Sequence, residues 1–147
     1  MARLLGSSSS YRGPRATVRR VGGSNIEPVG ASSMFARLMG LKTISPDRLH
    51  QLVQSLEPVT IIDVNSRRSW MEARVPGASN LDPAAYKESD LPPDKNAVLV
   101  FYCSNPMCRK APNAARRAKK IGYHNVHVML AGISGWLVAK LPTESGG

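Results

Sequence analysis

Ala97-Val98-Leu99-Val100-Phe101-Tyr102-Cys103-Ser104-Asn105-Pro106-Met107-Cys108-Arg109-Lys110 is the stretch that decides the fold. Val98 to Cys103 is apolar throughout, with no polar residue at alternate positions. A short continuous run of this kind marks a strand buried on both faces. Helical spacing follows from Lys110 to Ile121 and stops at Gly122. A buried strand that turns sharply into a helix is the repeating unit of a parallel sheet.

The same alternation extends outward. On the amino-terminal side, Ser45-Pro46-Asp47 reads as a helix start, with Ser45 as cap and Pro46 in the first helical position. Leu49, Leu52, Val53 and Leu56 then recur at helical spacing. Val59 to Val64 is a β-branched strand, and Arg67 to Arg74 a short helix broken by Pro76-Gly77. On the carboxyl-terminal side, Asn125 to Leu130 is a third strand and Gly132 to Lys140 a last helix. Continuous strands between helices predict an α/β protein whose sheet is covered on both faces. In such sheets function gathers at the carboxyl ends of the strands.

Composition narrows the function. With 147 residues, one domain is the prior. No apolar stretch approaches the roughly 18 residues of a membrane-spanning helix. Two cysteines exclude a disulfide-rich scaffold and a four-cysteine zinc site, and His124 and His127 lie far from them in sequence, so no metal and no cofactor is expected. The net charge is +10 and uneven: residues 1–42 carry seven bases against Glu27 alone, and residues 43–147 thirteen bases against nine acids. Nucleic-acid modules interleave bases with aromatics, and only Tyr11 and Phe35 lie in the basic segment, so nucleic acid is not an expected partner.

Residues 1–42 form a basic, Ser/Gly/Arg-rich segment that reads as disordered, 43–142 a folded domain, and 143–147 a flexible tail. Three readings of residues 1–33 stay open: a targeting peptide, an electrostatic arm, or a chain that starts at Met34. The expected location is cytoplasmic, or an organelle if the basic segment is a targeting signal.

The chemistry centres on Cys103. The strand places its thiol at the carboxyl edge of the sheet, in a turn that feeds a helix amino terminus. Unpaired amides and partial positive charge there stabilise a thiolate and attract anions. Arg109 and Lys110 add fixed charge. A nucleophilic thiolate that also attracts anions suits sulfur or phosphoryl transfer. The bland reading is a small buried residue that finishes a strand.

Residues Thr43 to Pro142 resemble a rhodanese-like domain. The resemblance runs in order through Ile44-Ser45-Pro46-Asp47, Ile62-Asp63-Val64, Glu72, Val75-Pro76-Gly77-Ala78, Tyr102-Cys103, Gly122-Tyr123, Asn125-Val126, Gly132-Ile133-Ser134-Gly135-Trp136 and Leu141-Pro142. It implies a three-layer α/β fold with a central, mostly parallel five-stranded sheet flanked by helices. It also implies an enzyme, a sulfurtransferase of the thiosulfate type. Cys103 would take a sulfane sulfur from a small anionic or persulfide donor, hold it as a persulfide, and pass it to cyanide or a thiol acceptor, which could be a protein. Ser104, Asn105, Met107, Cys108 and Arg109 would line the donor site.

Several positions depart from the family pattern. Asn65 stands where the family usually has Arg, and Ala73-Arg74 where it has Gly-His. The interval from Cys103 to Arg109 is six residues rather than five, holds no glycine, and contains Pro106, which has no amide donor. The longer interval is similar to that of the related tyrosine phosphatases and arsenate reductases, which is one alternative function; Asp82, Glu88 and Asp90 are its unplaced acids. The other alternative is a non-enzymatic docking or redox-switch module. Cys108 is either a resolving thiol for Cys103 or a residue packed under the loop and pointing away. Asp63 is read as capping structure, Trp70 and Trp136 as core, and Arg116, Arg117, Lys119 and Lys120 as a solvated face that could also steer anions or dock an acidic acceptor.

Overall fold

The computed structural model describes residues 40–147. The readings of residues 1–33 therefore lie outside the described residues. The chain forms a five-stranded sheet in which every strand pair is parallel. The strands are β1 (Lys42–Thr43), β2 (Thr60–Asp63), β3 (Ser79–Asn80), β4 (Val98–Tyr102) and β5 (Asn125–Met129), in the spatial order β1-β5-β4-β2-β3. Among the described residues four helices flank them: α1 (Pro46–Gln54), α2 (Arg67–Glu72), α3 (Lys110–Ile121) and, after the last strand, α4 (Gly132–Val138). A 3₁₀ turn spans Glu88–Asp90. This is the expected α/β architecture, with two short edge strands that the sequence pattern did not reveal.

Local chemistry explains the helix ends. The Ser45 hydroxyl accepts the Arg48 amide at 3.2 Å, and Pro46 begins α1. Ser66 caps α2 in the same way, accepting from the Ser69 amide at 3.2 Å. The last residue of the Leu49 series falls outside α1: the helix ends at Gln54, and Leu56 turns out at φ 57° and is exposed. Helix α2 ends at Glu72, two residues short of the expected Arg74. Arg74 instead forms an antiparallel bridge with Glu144.

The carboxyl-terminal residues are tied to this same region. The Gly146 amide donates to the Met71 carbonyl at 2.8 Å, and the Arg74 guanidinium donates to the Gly146 carbonyl at 2.6 Å. At the other end Leu41 is buried in the core and Lys42 pairs with His127, so the folded unit includes both.

Side-chain alternation along the strands divides the core into two layers. Leu99, Phe101 and Cys103 face α3, together with Ile62, Val64, Val126 and Val128. There α3 presents Ala111, Ala114, Ala115 and Ala118, small side chains that let the helix lie close to the sheet. Val100 and Tyr102 face the opposite layer with Ile61, Leu49, Val75, Met129 and Trp136. His127 lies between Val126 and Val128 and so faces this second side, where burial and the nearby Lys42 charge lower its pKa. Trp70 departs from expectation: it is half-buried, with the Arg74 guanidinium 3.9 Å from its ring centroid and its indole N–H donating to the Ala78 carbonyl.

The strand order has a functional consequence. After β2 the chain moves to β3 at one edge; after β4 it moves to β5 in the other direction. The crevice beyond the carboxyl ends of β2 and β4 is thus a topological switch point, where open α/β sheets place ligands.

Candidate active site

Cys103 directly follows β4 at this switch point. Its side chain is buried, 2% exposed, on the α3 face. Ser104 to Met107 are exposed, Cys108 is half-buried, and Arg109 and Lys110 at the start of α3 are exposed. Cys103 and Cys108 are joined as a disulfide, with their Cα atoms 6.5 Å apart. Of the two orientations open to Cys108 in the sequence, the structure has it turned to Cys103 rather than away.

The loop is held at its base by α4. The Ile133 amide donates to the Cys103 carbonyl and the Ser134 amide to the Ser104 carbonyl, both at 2.9 Å. This approach requires Gly132. Its φ is +63°, and a Cβ there would lie 2.6 Å from the Ser104 carbonyl carbon and 2.7 Å from the Asn105 nitrogen and the Cys103 oxygen. Gly132 follows β5, in the next βα turn after the Cys103 loop. The Gly-Ile-Ser-Gly-Trp segment was visible in the sequence, but nothing in its composition says which backbone it touches.

The tip of the loop is closed by Asn105. Its side-chain oxygen accepts the Met107 amide at 2.9 Å, and its carbonyl accepts the Cys108 amide at 3.1 Å. In this disulfide form two of the amides expected to face an anionic donor are therefore engaged within the loop. Arg109 supplies the N-cap position of α3 without a side-chain cap, and no acid occupies the first turn of that helix. The positive end of α3 thus meets Arg109 and Lys110 with no local counter-charge on the helix.

Residues 45–139 match the model of the Rhodanese-like domain. The chain belongs to the rhodanese-like family. An HTH-type transcriptional regulator of Mycobacterium tuberculosis is 32% identical over 90 residues, or 60% of this chain, and the chain spans only 38% of that protein. The thiosulfate sulfurtransferase GlpE of Actinobacillus succinogenes is 28% identical over 107 residues, covering 73% of this chain and 94% of GlpE. Among solved structures, a thiosulfate sulfurtransferase of Pseudomonas aeruginosa superposes with a TM-score of 0.67 at 17% identity, over 79% of this chain and 23% of the other.

In this rhodanese-like domain Asp63 caps β2 from the layer opposite Cys103. It is fully buried; one carboxylate oxygen accepts the Asn65 amide at 2.8 Å and the other has no hydrogen-bond partner. Asn80 ties the same strand end, donating to the Asp63 and Asn65 carbonyls at 3.0 and 2.8 Å. Burial raises the Asp63 pKa, against the opposing pull of the Asn65 amide, the Tyr102 hydroxyl and the Arg74 charge. The Tyr102 hydroxyl in turn accepts the Val75 amide at 3.1 Å.

A raised carboxyl pKa has a definite sign for stability. The contribution is whole below the ordinary value of 3.8 and is lost as pH rises through the folded value. Burial of this carboxyl therefore weakens the fold at neutral pH. Asp63→Asn keeps the acceptor for the Asn65 amide and carries no charge. Its stability relative to the unaltered chain is expected to rise between about pH 4 and pH 7, read as a growing difference in Tm. A difference that does not change with pH would mean that the burial cost is fully offset, so that the carboxyl titrates alike in the folded and unfolded chain.

The acids proposed for the phosphatase alternative are spent elsewhere in part. Asp82 accepts the Ala84 amide, Asp90 accepts the Lys87 amide, and Glu88 pairs with Lys95. The basic face of α3 is likewise partly structural: Arg117 donates to the Ala84 and Tyr86 carbonyls, and Lys119 to the Gly40 carbonyl.

Proposed function

We propose that the chain is a sulfurtransferase in which Cys103 is the nucleophile. The observation that carries this reading is the position of Cys103: the first residue after the central strand, at the switch point, on a loop that leads into α3 beside Arg109 and Lys110. The likeness to GlpE supports the same class. In the reduced protein the Cys103 thiolate attacks the sulfane sulfur of thiosulfate or a persulfide donor. For thiosulfate the donor S–S bond breaks and sulfite leaves with the bonding pair. Cys103 then holds the sulfur as a persulfide. An acceptor thiolate or cyanide attacks the outer sulfur and restores the Cys103 thiolate.

The test is sulfite release. Reduced protein mixed with thiosulfate is expected to release one sulfite per chain without an acceptor, and to turn over when a dithiol is added. Cys103→Ser is expected to release none. Absence of sulfite from the reduced unaltered chain, or equal release from Cys103→Ser, overturns the reading. The Cys103–Cys108 bond favours a second reading, a redox-switch module without transfer. That reading expects no sulfite and a disulfide that forms only with an added oxidant.

A further inference from the structure

The Cys103–Cys108 bond leaves a question that sulfur transfer to an external acceptor does not answer. Transfer to cyanide or a thiol needs one cysteine and never links two. Yet Cys108 lies on the same loop, with Cα 6.5 Å from that of Cys103 and with a sulfur that bonds to it. Its amide is held by the Asn105 carbonyl, and its side chain packs against the core layer that contains Cys103. The loop base is pinned by Ile133 and Ser134, so the two sulfurs approach within a fixed frame. An internal thiol so held has an effective concentration far above that of any dissolved acceptor.

We infer that Cys108 is a resolving thiol that discharges the Cys103 persulfide as sulfide, leaving the observed disulfide as the product state. This rests on the sulfurtransferase reading. The Cys108 thiolate attacks the inner sulfur, Cys103 Sγ, forming the Cys103–Cys108 bond. The bond from Cys103 Sγ to the sulfane sulfur breaks, and its electron pair leaves with that sulfur as hydrosulfide. The sulfane sulfur gains two electrons and the two cysteines lose them, so no oxidant is needed. The proton given up by Cys108 is taken by the leaving sulfide.

Exposure sets the direction of the return step. Cys103 is 2% exposed in the disulfide, whereas Cys108 is half-buried and flanked by exposed Met107 and Arg109. An external thiolate therefore reaches Cys108 Sγ first, and Cys103 leaves as the thiolate, ready for a new donor. A dithiol serves as the reductant: its second thiol attacks the mixed disulfide and frees Cys108. The net reaction consumes thiosulfate and a dithiol and yields sulfite, sulfide and the oxidised dithiol. A protein that uses Cys108 in this way releases sulfide rather than loading an acceptor.

The experiment is a single turnover of the full chain. The protein is reduced with an immobilised phosphine, removed from it without oxygen, and mixed with thiosulfate. Sulfite, sulfide and intact mass are then measured on the unaltered chain and on Cys108→Ser. The expected result for the unaltered chain is sulfite and sulfide in equal amounts and a mass lower by two hydrogens. Cys108→Ser is expected to release sulfite, no sulfide, and to gain one sulfur atom. Sulfite with a retained sulfur and no sulfide from the unaltered chain overturns the inference and leaves the sulfurtransferase reading in place. Equal sulfide from Cys108→Ser also overturns it. No sulfite from either protein, with no sulfur adduct, removes the reading and the inference together.

Discussion

Gly132→Ala is expected to destabilise the fold by about 2–4 kcal/mol and to slow sulfite release by about a hundredfold. Two separate costs add at this position. A non-glycine residue at φ +63° is strained wherever it stands, at about 1–2 kcal/mol. The new Cβ also meets backbone atoms of Cys103, Ser104 and Asn105 at 2.6–2.7 Å, and backbone cannot swing aside as the end of a side chain does. Relief requires α4 or the loop to retreat, which lengthens the hydrogen bonds from the Ile133 and Ser134 amides to the Cys103 and Ser104 carbonyls. Those bonds set where the Cys103 sulfur sits. Gly77 separates the two costs, because its φ is +80° and nothing lies within 4 Å of its added Cβ. Gly77→Ala should show the strain alone, with little change in sulfite release. Equal Tm losses for the two variants would mean that the loop moves freely away from α4.

The contrast between Gly132 and Gly77 shows where sequence reading stops. Pro76-Gly77 is recognisable as a turn from its own two residues, since the chemistry that shapes it is local. Gly132 matters because of a segment nearly thirty residues earlier, and only the fold brings them together. The same distinction runs through the molecule. The strands β2, β4 and β5, the helix starts at Ser45 and Lys110, and the α/β class all follow from local patterns. The two-residue strands β1 and β3 carry no pattern of their own and exist because β5 and β2 present edges to them. A continuous apolar run such as Val98–Tyr102 marks burial on both faces but not which face receives α3, and so not which layer holds the Cys103 sulfur.

Candidate chemistry was legible to a similar depth. Cys103 stood out because a strand end, a turn and a helix start are all local. The orientation of Cys108 is not legible in the sequence because five residues of separation permit either one, and the choice depends on loop geometry around Asn105. Asp63 was readable as a strand-end carboxylate. Its isolation in the opposite layer beneath Tyr102 was not, since that needs the register Asp63 to Tyr102 between β2 and β4. Trp70, which the sequence suggests as core, is half-buried. The Arg74 guanidinium covers its face instead, 3.9 Å from the ring centroid.

Trp136→Ala tests the other support of the loop, the anchor of α4. Trp136 is fully buried, its indole N–H donates to the Pro142 carbonyl at 2.8 Å, and His50 meets its ring edge-on at a centroid distance of 5.9 Å. Truncation is expected to cost about 3–5 kcal/mol, because the cavity left among Leu49, Val75, Val100 and Met129 is enclosed by the sheet and cannot collapse. A domain of this size has a total of about 5–15 kcal/mol, so the variant should be marginally folded, with a large fall in Tm. Trp136→Phe retains most of the packing and loses the Pro142 hydrogen bond, and should lie between the two. Val138 is 82% exposed on the same helix, and Val138→Ala should change stability by no more than about 0.5 kcal/mol. The link to function is mechanical. Trp136 fixes α4 against the α1 layer, and the first residues of α4 fix the Cys103 and Ser104 carbonyls. Sulfite release from Trp136→Ala, measured well below its Tm, should therefore be reduced even in folded molecules, while Val138→Ala releases sulfite at the unaltered rate. Full activity in the folded fraction of Trp136→Ala would mean that the turn at Gly132 holds the loop without the helix behind it.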